Sequence, residues 1–115
     1  MSKREYRLFL KDILTSARKI IEYAGNKSRK DLARNQMLTD AVARNLEIIG
    51  EAVKNIPADI KHKHQEIEWK KIAGLRDILV HEYFGIDYDV LWDIVRNKVP
   101  QLKEQISLAL KSEKK

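Results

Sequence analysis

The scarcity of helix-breaking residues is the feature that most constrains how this chain can fold. Only four glycines and two prolines are spread over its 115 residues. Apolar residues recur three and four positions apart through most of the sequence, whereas the alternation typical of strands is hard to find. The sequence therefore predicts an all-α fold: a single domain, residues 1–115, built as an up-and-down four- to five-helix bundle.

Residues that start or stop helices set the predicted boundaries. Gly25 ends the first helix, and Ser28 begins a capping box for the second. Pro57 ends the second helix and can begin a short helical turn, and Asp87 is a candidate N-cap for the fourth. Pro100 marks either a kink in that last helix or a fresh start. The predicted main helices cover residues 5–24, 29–55, 69–84 and 87–110.

Two polar segments are predicted to be solvated. Residues 61–65 form a surface connection, and residues 111–115 form a frayed tail. The connection holds His62 and His64, which could suggest a metal site. Two positions apart, however, they do not share a helix face, and no carboxylate cluster completes a ligand set. The sequence thus predicts no metal site.

The composition limits the class of protein. The chain has no cysteine, so it has neither disulfides nor thiolate metal ligands. It has no apolar run long enough to span a membrane and no apolar leader, so we expect a soluble, cytoplasmic protein. Its net charge of +6 would attract a phosphate polymer, although the same charges could simply solvate helix faces.

Arg76 is out of place on the third predicted helix. At about 100° per residue it falls on the apolar arc that contains Trp69 and Leu79. A guanidinium on that face must find an anion, because an unpaired buried charge is very costly. The anion could be a substrate phosphate, or it could be the carboxylate of Glu51 in a structural ion pair.

Asp77 and His81 share a second face, about 140° round the helix from Arg76. Four residues apart, Asp77 could orient the imidazole and favour its protonated form, as acid–base catalysis requires; a purely structural histidine is the alternative. One regular helix holds Arg76 and His81 too far apart to grip one phosphate. A two-fold symmetric homodimer could bring both together, or the helix could open near His81.

These residues carry a resemblance to a known family. The pattern Arg76-x4-His81-x-Tyr83 resembles the signature of HEPN domains, and specifically of the HepT-like ribonuclease toxins. Asp77, directly after the motif arginine, also matches. The flanking sequences at 48–52 (IIGEA), 69–76 (WKKIAGLR) and 81–87 (HEYFGID) look like that family, and the similarity covers about residues 5–110.

The resemblance implies a fold and a chemistry. It implies a HEPN-like helical homodimer whose two motifs meet in one cleft and cleave RNA without a metal or other cofactor. The substrate's own 2′-hydroxyl would be the nucleophile. Arg76 would hold the scissile phosphate and His81 would act as general acid or base, with Asp77 and Glu51 in supporting positions.

The resemblance also implies a partner. Such toxins belong to type VII toxin–antitoxin systems and are paired with a minimal nucleotidyltransferase antitoxin, which transfers AMP to the motif tyrosine, here Tyr83. Alternatively, Tyr83 only fills the apolar arc. The alternative function is a non-catalytic protein that binds nucleotide or serves as the nucleotidyltransferase's docking partner.

Overall fold

A computed structural model of the chain describes residues 3–75 and 87–113. Throughout these two ranges the regular secondary structure is helical, which confirms the predicted all-α class. The helices are α1 (Lys3–Ala24), α2 (Arg29–Arg34), α3 (Gln36–Lys54), α4 (Ala58–Lys63), α5 (Trp69–Ala73), α6 (Tyr88–Asp93), a π-helical segment (Ile94–Lys98) and α7 (Val99–Ser112).

Helix α1 forms the centre of the bundle and packs against both α3 and α7. Its predicted apolar stripe is confirmed, since Leu10, Ile13, Ala17 and Ile20 are completely buried. Burial of each of the large side chains contributes about 1.5–3 kcal/mol. Although α1 has 22 residues, no described helix is both long enough and apolar enough to cross a membrane.

The second predicted helix is not continuous. Asn35 has extended backbone angles (φ −112°, ψ 98°) and separates α2 from α3. Its side-chain oxygen accepts a hydrogen bond from the backbone N–H of Leu38 at 3.0 Å, which caps α3. The buried hydroxyl of Thr39 donates to the carbonyl of Leu32 at 2.7 Å and ties the two helices together. The apolar stripe runs through this break, so periodicity alone predicted one helix where there are two.

Local capping signals were predicted correctly. The backbone N–H of Ser28 donates to the Asp31 carboxylate at 2.8 Å, and Asp31 N–H donates to the Ser28 hydroxyl at 3.2 Å. Gly25 has φ +42°, a left-handed angle that favours glycine after a helix end. Asp87 caps α6 by accepting from the N–H groups of Asp89 and Val90.

Pro100 lies in the first turn of α7, directly after the π-helical segment. Proline has no N–H, so the carbonyl of Arg96, four residues earlier, lacks its α-helical donor. The wider π-helical turn lies where that donor is missing. Pro100 thus marks a change of helix type within a continuing helix rather than a chain break.

Two predictions about solvated segments are wrong in part. His64 is buried, and its Nε2 lies 3.0 Å from Oε2 of Glu113. The hydroxyl of Tyr6 donates to Oε1 of Glu113 at 2.8 Å, and Lys63 Nζ lies 3.7 Å from the same oxygen. We call Tyr6, Lys63, His64 and Glu113 the C-terminal clasp. Because of these contacts, the described part of the tail, residues 111–113, is held against α1 and α4, whereas His62 is exposed as expected.

Candidate functional site

The motif residues lie outside the described ranges. Arg76, Asp77, His81 and Tyr83 all fall between Leu75 and Asp87, where the described structure stops and resumes. Their predicted roles therefore stay predictions. The structure shows the helices before and after these residues in the chain and the position of Glu51.

The chain approaches the motif from a firmly anchored helix. Trp69, the first residue of α5, is buried, as predicted for a core anchor. Its indole N–H is shared between the carbonyl of Lys61 at 3.2 Å and that of His64 at 3.0 Å. Helix α5 also packs against α3. Helix α5, which precedes the motif in the chain, is thereby fixed to both α3 and α4.

Gly74 directly follows α5 and lies two residues before Arg76 in the chain. Among the described residues, a Cβ at this position would meet only carbonyl oxygens of the preceding turn, at 3.4 Å from Lys71 and 3.6 Å from Lys70. Its φ of −72° is ordinary for any residue. Within the described part of the chain, no close approach accounts for this glycine.

Beyond the motif, the chain is held by α6. Asp87 caps that helix, and half-buried Trp92 packs against the core. The guanidinium carbon of Arg96 lies 5.5 Å from the centre of the Trp92 ring, a cation–π contact. Structured helices therefore lie on both sides of the motif.

Glu51 is exposed on α3 and lines a surface depression of about 390 Å³. Asp12, Arg44 and Glu47 share that depression, and Nη1 of Arg44 lies 3.9 Å from Oε2 of Glu47. The site is a mixed-charge surface. The predicted pairing of Glu51 with Arg76 stays a prediction.

A groove not predicted from the sequence lies beside the start of the motif. It has a volume of about 380 Å³ and is formed by α5, α6, the π-helical segment and α7. We call it the α5–α7 groove. Gly74 and Leu75 line it, so one wall ends directly before Arg76. The described residues of its apolar lining are Ile72, Leu75, Val90, Ile94, Val99 and Leu102.

Charged side chains line the same groove. Lys71 Nζ lies 2.9 Å from Oε2 of Glu68, and both residues are well exposed. The hydrogen bond and charge of Lys71, followed by the charge of Lys98, lower the pKa of Glu68. Among the described residues of the lining, two lysines and one glutamate carry a net formal charge of +1. The residues that line the groove are far apart in the chain, so no local sequence pattern could have predicted it.

The C-terminal clasp is a further titratable cluster. Burial alone would raise the pKa of Glu113, but hydrogen bonds from Tyr6 and His64 and the charge of Lys63 hold it below its usual value. Burial, and then the hydrogen bond and negative charge of Glu113, raise the pKa of Tyr6. Among residues 3–75 and 87–113, no three His, Cys, Asp or Glu side chains are grouped to hold a metal ion.

Comparison with known proteins identifies a common family. A family model described as "Ribonuclease HepT-like" matches residues 13–109. A Methanocaldococcus jannaschii protein named "Putative RNase" is 45% identical over 108 residues, which is 94% of this chain and 99% of that protein. A protein of the same name from Caldanaerobacter subterraneus subsp. tengcongensis is 43% identical over 108 residues, 94% and 96% of the two chains.

A third relative, from Thermococcus cleftensis, is named "Probable ribonuclease HepT". It is 44% identical over 101 residues, which is 88% of this chain and 92% of the relative. Each of these matches extends across most of both chains. No solved structure matches the chain significantly.

Proposed function

The chain belongs to the HepT-like ribonuclease family, and from this premise we propose that it is a metal-independent endoribonuclease toxin. Its active site would be composed of Arg76 and His81 in the cleft of a homodimer. The observation that carries the proposal is the family match over residues 13–109, which includes the whole motif and the helices on both sides of it.

The proposed reaction is an internal phosphoryl transfer. The substrate's 2′-oxygen attacks the neighbouring phosphorus while a base removes its proton. The bond from phosphorus to the 5′-oxygen breaks, and that oxygen takes up a proton. His81 acts as the acid or the base, and Arg76 binds the phosphate and offsets its developing charge through two parallel N–H donors. Asp77 orients His81, and Glu51 supports the cleft.

The test is cleavage of single-stranded RNA in EDTA, with product analysis. We expect a 2′,3′-cyclic phosphate and a 5′-hydroxyl, and we expect Arg76→Ala and His81→Ala each to lose activity by at least about 100-fold. Helicity should match that of the parent by circular dichroism. Cleavage that survives His81→Ala, or that needs added Mg²⁺, would show that this chemistry is wrong.

The structure decides which histidine serves as the control. His64 is buried in the C-terminal clasp, so its substitution would disturb the fold. His62 is exposed on α4, where its Nδ1 lies 3.1 Å from Nε2 of Gln65. His62→Ala is therefore the matched control, and we expect its activity to stay within about two-fold of the parent.

The proposal includes a partner and a switch. In the cytoplasm, a minimal nucleotidyltransferase antitoxin would bind the toxin, and the Tyr83 oxygen would attack the α-phosphorus of ATP. AMP would then be joined to Tyr83, with release of pyrophosphate. The added charge and bulk would compete with RNA for Arg76.

Peptide mass spectrometry after incubation with the antitoxin and ATP tests this switch. AMP on Tyr83 together with loss of cleavage is the expected result. AMP only on Tyr6, Tyr23 or Tyr88, or no modification, would contradict it. Tyr83→Phe should keep ribonuclease activity yet escape neutralisation by AMP transfer.

A further inference from the structure

The α5–α7 groove has the size and the lining of a site for a small, flat ligand. Its volume of about 380 Å³ lies near the lower end of the roughly 300–1,000 Å³ that ligand sites occupy. Side chains such as Leu75, Val99 and Leu102 make its interior apolar. Apolar surfaces of this kind accept the face of a heterocyclic ring but give little to a bare phosphate.

The position of the groove links it to the motif. Leu75 lines the groove and Arg76 follows it in the chain. Consecutive Cα atoms are only about 3.8 Å apart, so the groove ends within one residue of the arginine proposed to bind phosphate. The base and the phosphate of one nucleotide are joined through a single sugar. A nucleotide whose base lies in the groove would therefore carry its phosphate towards the motif.

The polar side chains of the groove suit a ligand whose aromatic ring lies inside the groove and whose anionic group lies at its edge. Within the described lining, the positive charges of Lys71 and Lys98 together exceed the negative charge of Glu68. The side-chain N–H of Gln105 donates to the carbonyl of Glu66 at 3.0 Å, which holds the amide at the groove wall. An amide fixed in this way can form hydrogen bonds with the edge of an unpaired base.

From these observations we propose that the α5–α7 groove binds one unpaired base of the RNA substrate, beside the scissile phosphate. This inference rests on the proposed ribonuclease function and deepens it. The groove would make cleavage prefer single-stranded RNA, because a paired base cannot enter. It would also impose a base preference at the nucleotide next to the cleaved bond.

A charge placed in the groove provides the test. Val90 lines the groove and is 43% exposed, while Leu108, on α7, does not line it and is 62% exposed. Val90→Glu and Leu108→Glu add the same charge to exposed helix positions, and glutamate is well suited to the third position of α6. The probe is a fluorescent hexamer of 2′-O-methyl RNA, which lacks the nucleophile and is not cleaved.

We expect Val90→Glu to weaken binding of this hexamer by about ten-fold and Leu108→Glu by less than about two-fold. An abasic hexamer of equal charge should bind the parent at least about five-fold more weakly than the hexamer with bases. In cleavage assays, Val90→Glu should raise KM and flatten the base preference, with kcat much less affected.

Other results would overturn the proposal. Equal weakening by the two variants, or equal binding of the abasic hexamer, would mean that the groove binds no base. Dissociation of a homodimer by Val90→Glu but not by Leu108→Glu would mean that a second copy of the chain covers the groove. A parent chain that cleaves no RNA could still show the expected effects of Val90→Glu and of the abasic hexamer on binding. In that case the proposed ribonuclease function is wrong and the base site in the α5–α7 groove is supported.

Discussion

The side chain of Glu113 connects three helices through one carboxylate. It accepts a hydrogen bond from Tyr6 on α1 and lies against His64 and Lys63 at the end of α4. Because an ionised carboxylate can only accept, Nε2 of His64 must carry the proton in this contact. Tyr6 and Glu113 are 107 positions apart in the chain. No local pattern marks such a contact, so the sequence predicted a solvated tail here.

Removal of this carboxylate should measurably destabilise the bundle. Hydrogen bonds to a charged group contribute about 1.5–3 kcal/mol, so we expect Glu113→Ala to lower the free energy of unfolding by about 2–3 kcal/mol. Urea denaturation followed by circular dichroism gives the value. Glu104→Ala, on the helix that Glu113 directly follows, is the matched control, since the Glu104 side chain is 74% exposed and lies 3.9 Å from Lys103. A loss equal to that of the control would show that the clasp contributes little.

The pKa shifts of the clasp predict how stability depends on pH. Because the pKa of Glu113 is lowered in the folded state, its contribution is present above the unfolded value of about 4.3 and is lost as pH falls through the folded value. Because the pKa of Tyr6 is raised, its contribution is present below the unfolded value of about 10 and is lost as pH rises through the folded value.

Urea denaturation across the pH range tests both signs. Glu113→Gln should reduce the acid loss, and Tyr6→Phe should reduce the alkaline loss, each relative to the parent. The other groups around the clasp, including Lys63, His64, Asp59 and Arg7, stay unchanged in both variants and so serve as an internal reference. Unchanged acid and alkaline slopes in the two variants would contradict the assignment.

At the scale of elements, cap residues were predicted well and the break at Asn35 was not. Ser28 and Asp87 act within three residues, so their sequence patterns carry the whole signal. Asn35 also caps a helix, but apolar residues continue on both sides of it. Leu32 and Leu38 are both buried despite the extended residue between their helices. The pattern indicates which residues are buried, and here the buried residues continue across a break between two helices.

Loss of the Asn35 cap should therefore measurably lower the free energy of unfolding. Asn35→Ala leaves the N–H of Leu38 without its side-chain acceptor, and we expect it to lower the free energy of unfolding by about 1 kcal/mol. Asn26→Ala, in the exposed turn after α1, is the matched control and should change stability by less than about 0.5 kcal/mol. If Asn35→Ala were stabilising, a continuous helix across this position would be the preferred state after all.

At the scale of the whole molecule, the sequence predicted the bundle and the motif, but not the surface beside the motif. The motif is a short pattern within one segment, which a single sequence displays directly. The α5–α7 groove instead combines residues from Glu68 to Gln105, which the packing of α5 against α6 and α7 brings together. The apolar and charged lining of this groove could be identified only after the packing of these helices was known. Gly74 and Leu75, which line this groove, directly precede the motif in the chain.

The proposed composite site makes a prediction that only a dimer can satisfy. If the cleft uses Arg76 from one subunit and His81 from the other, then Arg76→Ala and His81→Ala chains, each inactive, should complement each other when refolded together. Random pairing at equal amounts gives half heterodimers, each with one intact pair, so we expect roughly a quarter of the parent's activity. A chain with both substitutions, refolded with His81→Ala, is the control and should give none. If the mixture stays inactive while native mass spectrometry shows that heterodimers have formed, each site lies within one chain. If light scattering shows only monomers at micromolar concentration, the homodimer itself is wrong.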